Sequence, residues 1–383
     1  MPSQESYRDA LLPVIDEVVA PRATEVDVSG EFPREQVRAL GAAGLLALTV
    51  PADLGGGGAG LREAAEVIRE LGSVCGSTAM VVTMHYAAVG ALTAAGDKET
   101  LAAIAAGEHL STLAFSEKGS RSHFWAPLSS AVPLDDGQTV RLEASKSWVT
   151  SAGEADSYVW SSQPLNGETG AGPMTLWLVP AGAAGLSVAG AFDGLGLRGN
   201  SSAPMTADGV TVPQGALLGT DGAGLDLALA AVLPVFLICS AAMSAGLMRR
   251  LAEETAAHLG RTRFEHLGVS LAQQTGPRAQ LARLRIEADR AWALVAETLT
   301  AVESGREDAQ LLVLEVKAAA GEAAADAADL ALKVGGGAAF RKESVVERLF
   351  RDSRAARVMA PTTDALHDFI GRALLGLPLL GEV

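Results

Sequence analysis

Cysteine is nearly absent from this sequence, which has two in 383 residues. Cys75 and Cys239 lie far apart in apolar surroundings. A disulfide framework is therefore excluded, and the reducing cytoplasm is the expected location. The N-terminus, MPSQESYRDALLPVIDEVV, also lacks the basic and apolar regions of a signal peptide, because acidic residues interrupt its amphipathic pattern. The sequence thus predicts no export.

Positive charge is also in short supply. The chain has 30 Lys and Arg against 45 Asp and Glu, which gives a formal net charge of -15. Such a surface repels phosphate groups, so neither nucleic acid nor an anionic membrane is an expected partner. One uncharged run, residues 227–248, is long enough to cross a membrane. It contains Pro234, is rich in alanine and serine, and has no flanking aromatic belt, which favours a buried helix of a bundle.

Motifs for metal binding, acyl-enzyme formation and dinucleotide binding are missing or misleading. No pair of histidines has the spacing of a metal site, and no G-x-S-x-G sequence is present. The letters Gly194-Leu-Gly196-Leu-Arg-Gly199 match G-x-G-x-x-G. Turns and a strand follow them instead of a helix, so the sequence predicts no Rossmann fold and no bound metal.

The composition and hydrophobic periodicity of the chain change twice along its length. Residues 1–110 have helical periodicity, broken by Pro51 and a run of glycines. Residues 111–218 contain short β-rich runs between turn residues, which predicts an antiparallel β domain. Residues 219–383 are Ala-rich and periodic again, with strong helices at 277–304 and 309–334. The predicted fold class is therefore α+β, with helical, β and helical domains at these boundaries.

Two polar segments mark the β domain. A stretch from Phe115 to His123 enters it, and Lys146-Ser-Trp148-Val-Thr150 follows along a strand. An indole beside a hydroxyl at a strand end suits the binding of a flat conjugated ring. The alternative is a core tryptophan next to a capping threonine.

A series of collinear motifs resembles the acyl-CoA dehydrogenase family of flavoproteins over nearly the whole chain. LLALTVPADLGGGGAG is similar to the family's N-terminal helix and glycine loop, and LAFSEKGSRS to its flavin segment. KSWVTSAGEADSYV and LGLRGNSSAPMTADGVTVP are similar to the blocks of its β domain. In the last third, residues 261–264, 335–336 and 347–352 match its Arg-Phe, Gly-Gly and Arg-Asp motifs. The resemblance implies an N-terminal helical domain, a middle antiparallel β domain and a C-terminal four-helix bundle.

The resemblance also implies FAD bound between the β domain and the bundle. Trp148 would pack on the isoalloxazine ring, Thr150 would bond near N5, and Phe115, Ser116 and Ser122 would complete this part of the site. Family members are usually homotetramers, so a homotetramer or homodimer is expected. The neighbouring subunit would add these residues: Arg261, Phe264, Gly335, Gly336, Thr362 and Asp364.

The catalytic base of the family is missing. Its commonest position falls on Ala360 and its alternative position on Phe236, and neither side chain can accept a proton. Further departures are His123 in place of an aspartate and Leu332 in place of a glutamine. Candidates for a relocated base are Asp364, Glu343 and His85.

Three functions therefore remain open. The first is α,β-dehydrogenation of an acyl-CoA or acyl-carrier thioester with a relocated base, and electron-transferring flavoprotein as partner. The second is another flavin reaction on the same scaffold, such as oxygenation or desulfination, with Arg121 and His123 in the flavin pocket. The third is FAD binding without catalysis, against which the intact Trp148 and Thr150 argue.

Overall fold

Helical, β and helical blocks follow one another along the chain, and the predicted α+β fold is confirmed. The computed structural model describes residues 6–380 except residues 122, 136, 168, 170 and 171. The first block contains helices α1 (Ser6–Val14), α2 (Ala20–Ser29), α3 (Arg34–Ala42), α4 (Leu61–Val74), α5 (Gly76–Ala95) and α6 (Lys98–Ala105). The last block contains α7 (Gly224–Leu227), α8 (Leu233–Arg261), α9 (Thr275–Glu303), α10 (Ala309–Ala339), α11 (Val345–Ser353), α12 (Ala355–Val358) and α13 (Thr363–Leu374).

The strands form two sheets in the middle block and a short ribbon in the last. They are β1 (Ser111–Ala114), β2 (Ser130–Pro133), β3 (Thr139–Val149), β4 (Ser157–Ser162), β5 (Thr175–Pro180), β6 (Leu186–Val188), β7 (Ala203–Pro213), β8 (Leu217–Leu218), β9 (Arg263–Phe264) and β10 (Val269–Ser270). Among the described residues, the strand orders are β1-β4-β5-β8, β2-β3-β7-β6 and β10-β9.

Two predictions about the strands were wrong. β1 pairs with β4 in parallel, with Ser111 opposite Ser157, so the middle block is not purely antiparallel. The intervening chain forms β2 and β3 in the other sheet, and a pair without a hairpin connection is free to run in parallel. The strands also do not stop near Leu218, because β9 and β10 form an antiparallel ribbon after α8.

Helix α8 is the central helix of the structure and packs on α4 from the first block. The two backbones meet at Gly246, where a Cβ atom would overlap the carbonyl oxygen of Arg69. The uncharged run predicted as a buried helix begins at the last residue of α7, continues through a π-helical turn at Ala228–Val232 and forms the first half of α8. This half includes a continuous buried stretch from Phe236 to Met248. Two helical segments, Gly76–Ala95 and Gly224–Arg261, are apolar enough to span a membrane, yet 72% and 61% of their most apolar windows are buried. Burial against other helices accounts for their composition.

The glycines of the G-x-G-x-x-G sequence serve packing. A Cβ on Gly196 would overlap the backbone of Arg351 in α11, and a Cβ on Gly199 would overlap Val26 in α2. A short helical turn, Arg198–Asn200, and then β7 follow them, with no long helix whose N-terminus could receive a pyrophosphate. The segment therefore joins the β block to helices on both sides, and the rejection of a Rossmann turn is confirmed.

Candidate functional site

A cleft opens between the middle block, helix α5 of the first block and the helices of the last block. It consists of a cavity of about 460 Å³ and a smaller one of about 70 Å³. Both cavities are lined by Met84, Ser116, Trp148, Phe236 and Ala360. Four of these residues belong to segments singled out in the sequence, and the fold brings them to one place.

Trp148 is held in the cleft by an irregular strand. The register of β3 against β7 shifts between Lys146 and Val149, which is a β-bulge. Trp148 has φ +57°, a left-handed conformation that costs a bulky residue about 1–2 kcal/mol. Its side chain is 67% exposed. The strained backbone thus presents an unburied indole to the cleft.

Hydroxyl side chains line the same cavity as the indole. Thr150 and Ser202 are buried and share a hydrogen bond of 3.0 Å between their oxygens. The backbone N–H of Ser151 donates to the carbonyl of Asn200 at 2.9 Å, which joins the two segments that carry these hydroxyls. An exposed aromatic wall beside fixed hydroxyls suits a flat heteroaromatic ring with polar edges. The residues present therefore fit an isoalloxazine ring.

A buried ion pair between Glu117 and Lys146 lies next to the cleft residues Ser116 and Trp148. Lys146 Nζ donates to Glu117 Oε1 and to the carbonyl oxygen of Ser161, and both charged side chains are almost fully buried. Glu117 also accepts hydrogen bonds from the backbone N–H groups of Leu128 and Ser129. Burial lowers the pKa of Lys146 to about 8. The pair fixes the strands directly beside Ser116 and Trp148.

The cleft contains no group suited to proton abstraction among the described residues. No Asp, Glu or His side chain lines either cavity, and the charged side chains there are Arg351 and Arg354. Arg351 is paired with Asp27 and Glu347, each at 2.6 Å. Arg354 is paired with Asp329 at 2.7 Å. Both usual base positions of the family, Ala360 and Phe236, face the cleft without a titratable atom.

The proposed substitutes for the base lie elsewhere. His85 is buried within the structure, Glu343 is exposed and pairs with Arg341, and Asp364 is exposed on the first turn of α13. None of them lines either cavity, and neither Arg121 nor His123 does so. The structure therefore does not place any of these residues at the reacting centre.

His85 instead joins helix α5 to backbone groups on two sides. Its Nδ1 accepts from the N–H of Ser111 at 3.1 Å, and its Nε2 donates to the carbonyl of Leu46 at 3.0 Å. Burial lowers its pKa from 6.5 to about 4. The folded state therefore holds the neutral ring, which has no free nitrogen for catalysis.

This environment predicts acid sensitivity. The pKa of His85 is lower in the folded state, so its stabilising contribution is complete above pH 6.5 and is lost as the pH falls towards 4. We expect the free energy of unfolding of the wild type to fall by about 1 kcal/mol more than that of His85→Gln between pH 6.5 and about pH 5.5. Urea unfolding at both pH values measures this, and parallel profiles for the two proteins would contradict it.

Two residues predicted to contact FAD, Arg261 and Gly335, lie in a second region. This region is a separate cavity of about 340 Å³, whose polar lining also includes Glu254, His258, Arg341, Glu343 and Ser344. It shares no lining residue with the cleft. Arg341 is paired with Glu343 at 3.3 Å, so Arg261 is the residue of this cavity that suits an anionic ligand such as a pyrophosphate. Within one chain, the predicted FAD contacts thus fall into two separate places.

The other residues predicted to contact FAD lie in several different places. Phe115 lines the smaller cavity of the cleft. Phe264 is half-buried in the β9–β10 ribbon, and Gly336 is the kink of α10, with φ +54°. Thr362 caps α13, its Oγ1 accepting from the N–H of Ala365 at 3.3 Å. Ser122 lies outside the described residues.

Several residues that line the cleft could not be identified from the sequence. They include Met80 and Met84 on α5 and Asn200 and Ser202 before β7. Helix α5 is apolar on nearly all sides, so its periodicity gave no sign of which face meets the cleft. Ser202 lies in a segment that the motifs include, yet only the hydrogen bond to Thr150 shows its part in the wall.

Comparisons with known proteins agree along the chain. Three family models match it: acyl-CoA dehydrogenase N-terminal domain at residues 1–108, middle domain at 112–210 and C-terminal domain at 222–375. The human mitochondrial short-chain specific acyl-CoA dehydrogenase is 28% identical over 354 residues, covering 90% of this chain and 83% of that protein.

Solved structures also resemble the chain. Butyryl-CoA dehydrogenase from Megasphaera elsdenii has a TM-score of 0.91 at 20% identity, covering 98% of both chains, which is a likeness of fold. FkbI, described as acting in the biosynthesis of a methoxymalonyl extender unit, has a TM-score of 0.83 at 29% identity and covers 95% of this chain and 99% of its own.

Proposed function

We propose, because this chain belongs to the acyl-CoA dehydrogenase family, that it is an FAD-dependent oxidoreductase acting on an acyl thioester. Members of this family bind FAD. The choice of reaction depends on one observation: Ala360 and Phe236 line the cleft where the family has its base. We infer that the reaction needs no enzyme carboxylate at the α-carbon, and oxygenation of the acyl group is the first candidate.

The chain's own residues have definite tasks in this proposal. Trp148 would pack against the flavin ring, while Thr150, Ser202 and Ser116 would supply hydrogen bonds at its polar edge. Bound FAD would supply two-electron transfer and, once reduced, reaction with molecular oxygen. The apolar walls from α5 and α8 would keep bulk water from the reacting atoms.

The second cavity leads to a proposal about assembly. Since Arg261 and Gly335 lie apart from Trp148 within one chain, we propose that a second copy supplies them to the same FAD. A homodimer or homotetramer in the cytoplasm would meet this need. Arg261 of that cavity would then bind the pyrophosphate.

Oxygenation is supported by what the cleft lacks. Removal of an α-proton needs a base within hydrogen-bond reach of that carbon, whereas oxygen transfer from reduced flavin does not need one at this point. The similarity to FkbI supports an oxygen-bearing acyl group as the product class, since the extender unit named for that protein has a methoxy group. The reductant would be NAD(P)H, acting through a reductase partner.

Dehydrogenation is the second candidate. It is favoured by the 28% identity to a short-chain specific acyl-CoA dehydrogenase over most of the chain. In that case the base would come from the substrate or from a second copy, and electron-transferring flavoprotein would accept the electrons.

Two measurements on the FAD-loaded protein separate the candidates. First, the protein is mixed without oxygen with a series of saturated acyl-CoA thioesters, and the flavin absorbance is followed. We expect no bleaching. Second, the flavin is reduced and exposed to ¹⁸O₂ with acyl thioesters, and we expect labelled product. Bleaching by any acyl-CoA would favour dehydrogenation, and protein that takes up no FAD would contradict both candidates.

Replacing Trp148 by glycine should separate cofactor binding from stability. Loss of ring stacking, about 1–3 kcal/mol, should weaken FAD binding by about tenfold to a hundredfold. The unfolding free energy of cofactor-free protein should stay within about 1 kcal/mol, because glycine relieves the positive φ and the indole is mostly exposed. FAD titration and urea unfolding measure the two effects. Trp292→Phe, on α9 outside the cleft, is the control and should leave FAD binding unchanged.

A further inference from the structure

Lys317 is a buried lysine without an acidic partner. It lies on α10 with 1% of its surface exposed. Its Nζ donates to the carbonyl oxygens of Ala356 at 3.0 Å, Met359 at 3.1 Å and Pro361 at 2.9 Å. Among the described residues, no carboxylate lies within ion-pair distance of it. Three N–H donors thus meet three carbonyl acceptors, which uses the full donor capacity of an ammonium group.

The three carbonyls belong to the segment that forms one wall of the cleft. Residues 356–361, the clamped segment, run from α12 to the start of α13. Met359 and Ala360 line the larger cavity, and Ala360 and Pro361 line the smaller one. The family's usual base position is therefore in the middle of the stretch that Lys317 holds.

Lys317 also reaches the opposite wall. Its Nζ lies 6.0 Å from the ring centroid of Phe236, within the range of a cation–π contact. Phe236 is on α8 and lines both cavities. One ammonium group therefore contacts both walls of the cleft, at Phe236 and at the residues on either side of Ala360.

Burying a charged lysine destabilises the folded state unless its hydrogen bonds compensate for the lost hydration. Burial lowers its pKa to about 7, because the charge has lost its water. An apolar side chain of similar length would fill the same volume without that cost, but would leave three buried carbonyls unpaired. Compared with an apolar side chain, Lys317 therefore contributes hydrogen bonds to the clamped segment in addition to filling the volume.

We propose that Lys317 is a positioning residue that sets the distance between the clamped segment and Phe236, and so the width of the cleft. It touches no reacting atom. The inference rests on the proposed function only for the identity of the ligand, since the clamp is a property of the chain itself. Its test therefore begins with a measurement that needs no ligand.

The test compares Lys317→Met with Lys333→Met, an exposed lysine on the same helix. Amide hydrogen exchange is measured on the full-length cofactor-free chain. We expect at least tenfold faster exchange at the amides of residues 356–360, the clamped segment without Pro361, in Lys317→Met. Exchange in α9 and the first turns of α10 should be unchanged, and Lys333→Met should show no change. Uniformly faster exchange throughout the last block, or no change in the segment, would overturn the proposal.

Two further measurements complete the test. If Lys317→Met does not fold, Lys317→Gln keeps an amide donor and should show the same pattern with a smaller increase. A pattern spread over the whole block would again overturn the proposal. In FAD-loaded protein, Lys317→Met should change the flavin absorbance spectrum and Lys333→Met should not. If no variant or wild type takes up FAD, the proposed function fails while the exchange data still decide on the clamp.

Discussion

Replacing Ala360 by glutamate should accelerate the reduction of bound flavin by a saturated acyl-CoA. The side chain would enter the cleft at the position of the family's base, in the cavities that Trp148 and Phe236 also line. A positioned general base contributes about 10²–10⁴-fold to proton transfer. We therefore expect flavin reduction by a saturated acyl-CoA to be at least about a hundredfold faster in Ala360→Glu than in the wild type. Anaerobic stopped-flow absorbance of the FAD-loaded proteins measures the rate.

The control for this gain is Ala360→Gln, which has nearly the same shape without the proton acceptor. It should reduce no faster than the wild type. Equal rates in the glutamate and glutamine variants would show that shape, and not basicity, changed the cleft. A folded, FAD-loaded Ala360→Glu with no gain on any acyl-CoA would contradict the idea that the thioester's α-carbon lies beside residue 360.

Of the substitutions proposed for this protein, Glu117→Ala should lower the free energy of unfolding the most. Glu117→Ala would leave the buried Lys146 charge without its carboxylate and would free two backbone N–H groups of the neighbouring loop. Breaking a buried pair in this way costs about 3–5 kcal/mol. We expect a decrease of that size in the unfolding free energy, measured by urea denaturation of the cofactor-free protein.

Two controls define the cause. Asp289→Ala breaks an ion pair on the exposed face of α9 and should leave the denaturation midpoint unchanged. The double variant Glu117→Ala with Lys146→Met removes the stranded charge and should recover part of the loss. If the double variant is as unstable as Glu117→Ala, the loop contacts of Glu117, and not its charge, account for the effect.

The long helices were predictable because their signal is local. The periodic segment at 277–304 corresponds to α9, Thr275–Glu303, and the segment at 309–334 to α10, Ala309–Ala339. The order of the blocks was predictable for the same reason. Strand pairing was not: β1 and β4 are parallel because of contacts between residues far apart in sequence, which no local pattern encodes.

The candidate site was predictable where the motifs carry it. The resemblance pointed to Ser116, Trp148, Thr150, Ala360 and Phe236, and the structure brings them to one cleft. It could not show that Trp148 has a positive φ, since that conformation is imposed by the bulge in β3.

The role of Lys317 was also beyond the sequence. It lies in EVKAAAG, where a charged residue in an Ala-rich helix is typical of a solvated face. Its burial depends on the chain returning at residues 356–361, some forty positions later, to cover it. Tertiary contact, and not propensity, decides what such a residue does.

The contact between α4 and α8 bears on how the chain can be divided. Since a carbonyl of one helix occupies the place of a side chain on the other, no residue larger than glycine is compatible with position 246. The buried apolar residues of all three blocks also belong to one continuous cluster. The three segments matched by separate family models are therefore parts of one cooperative unit, and exchanging one of them with a relative would require matching this helix surface as well.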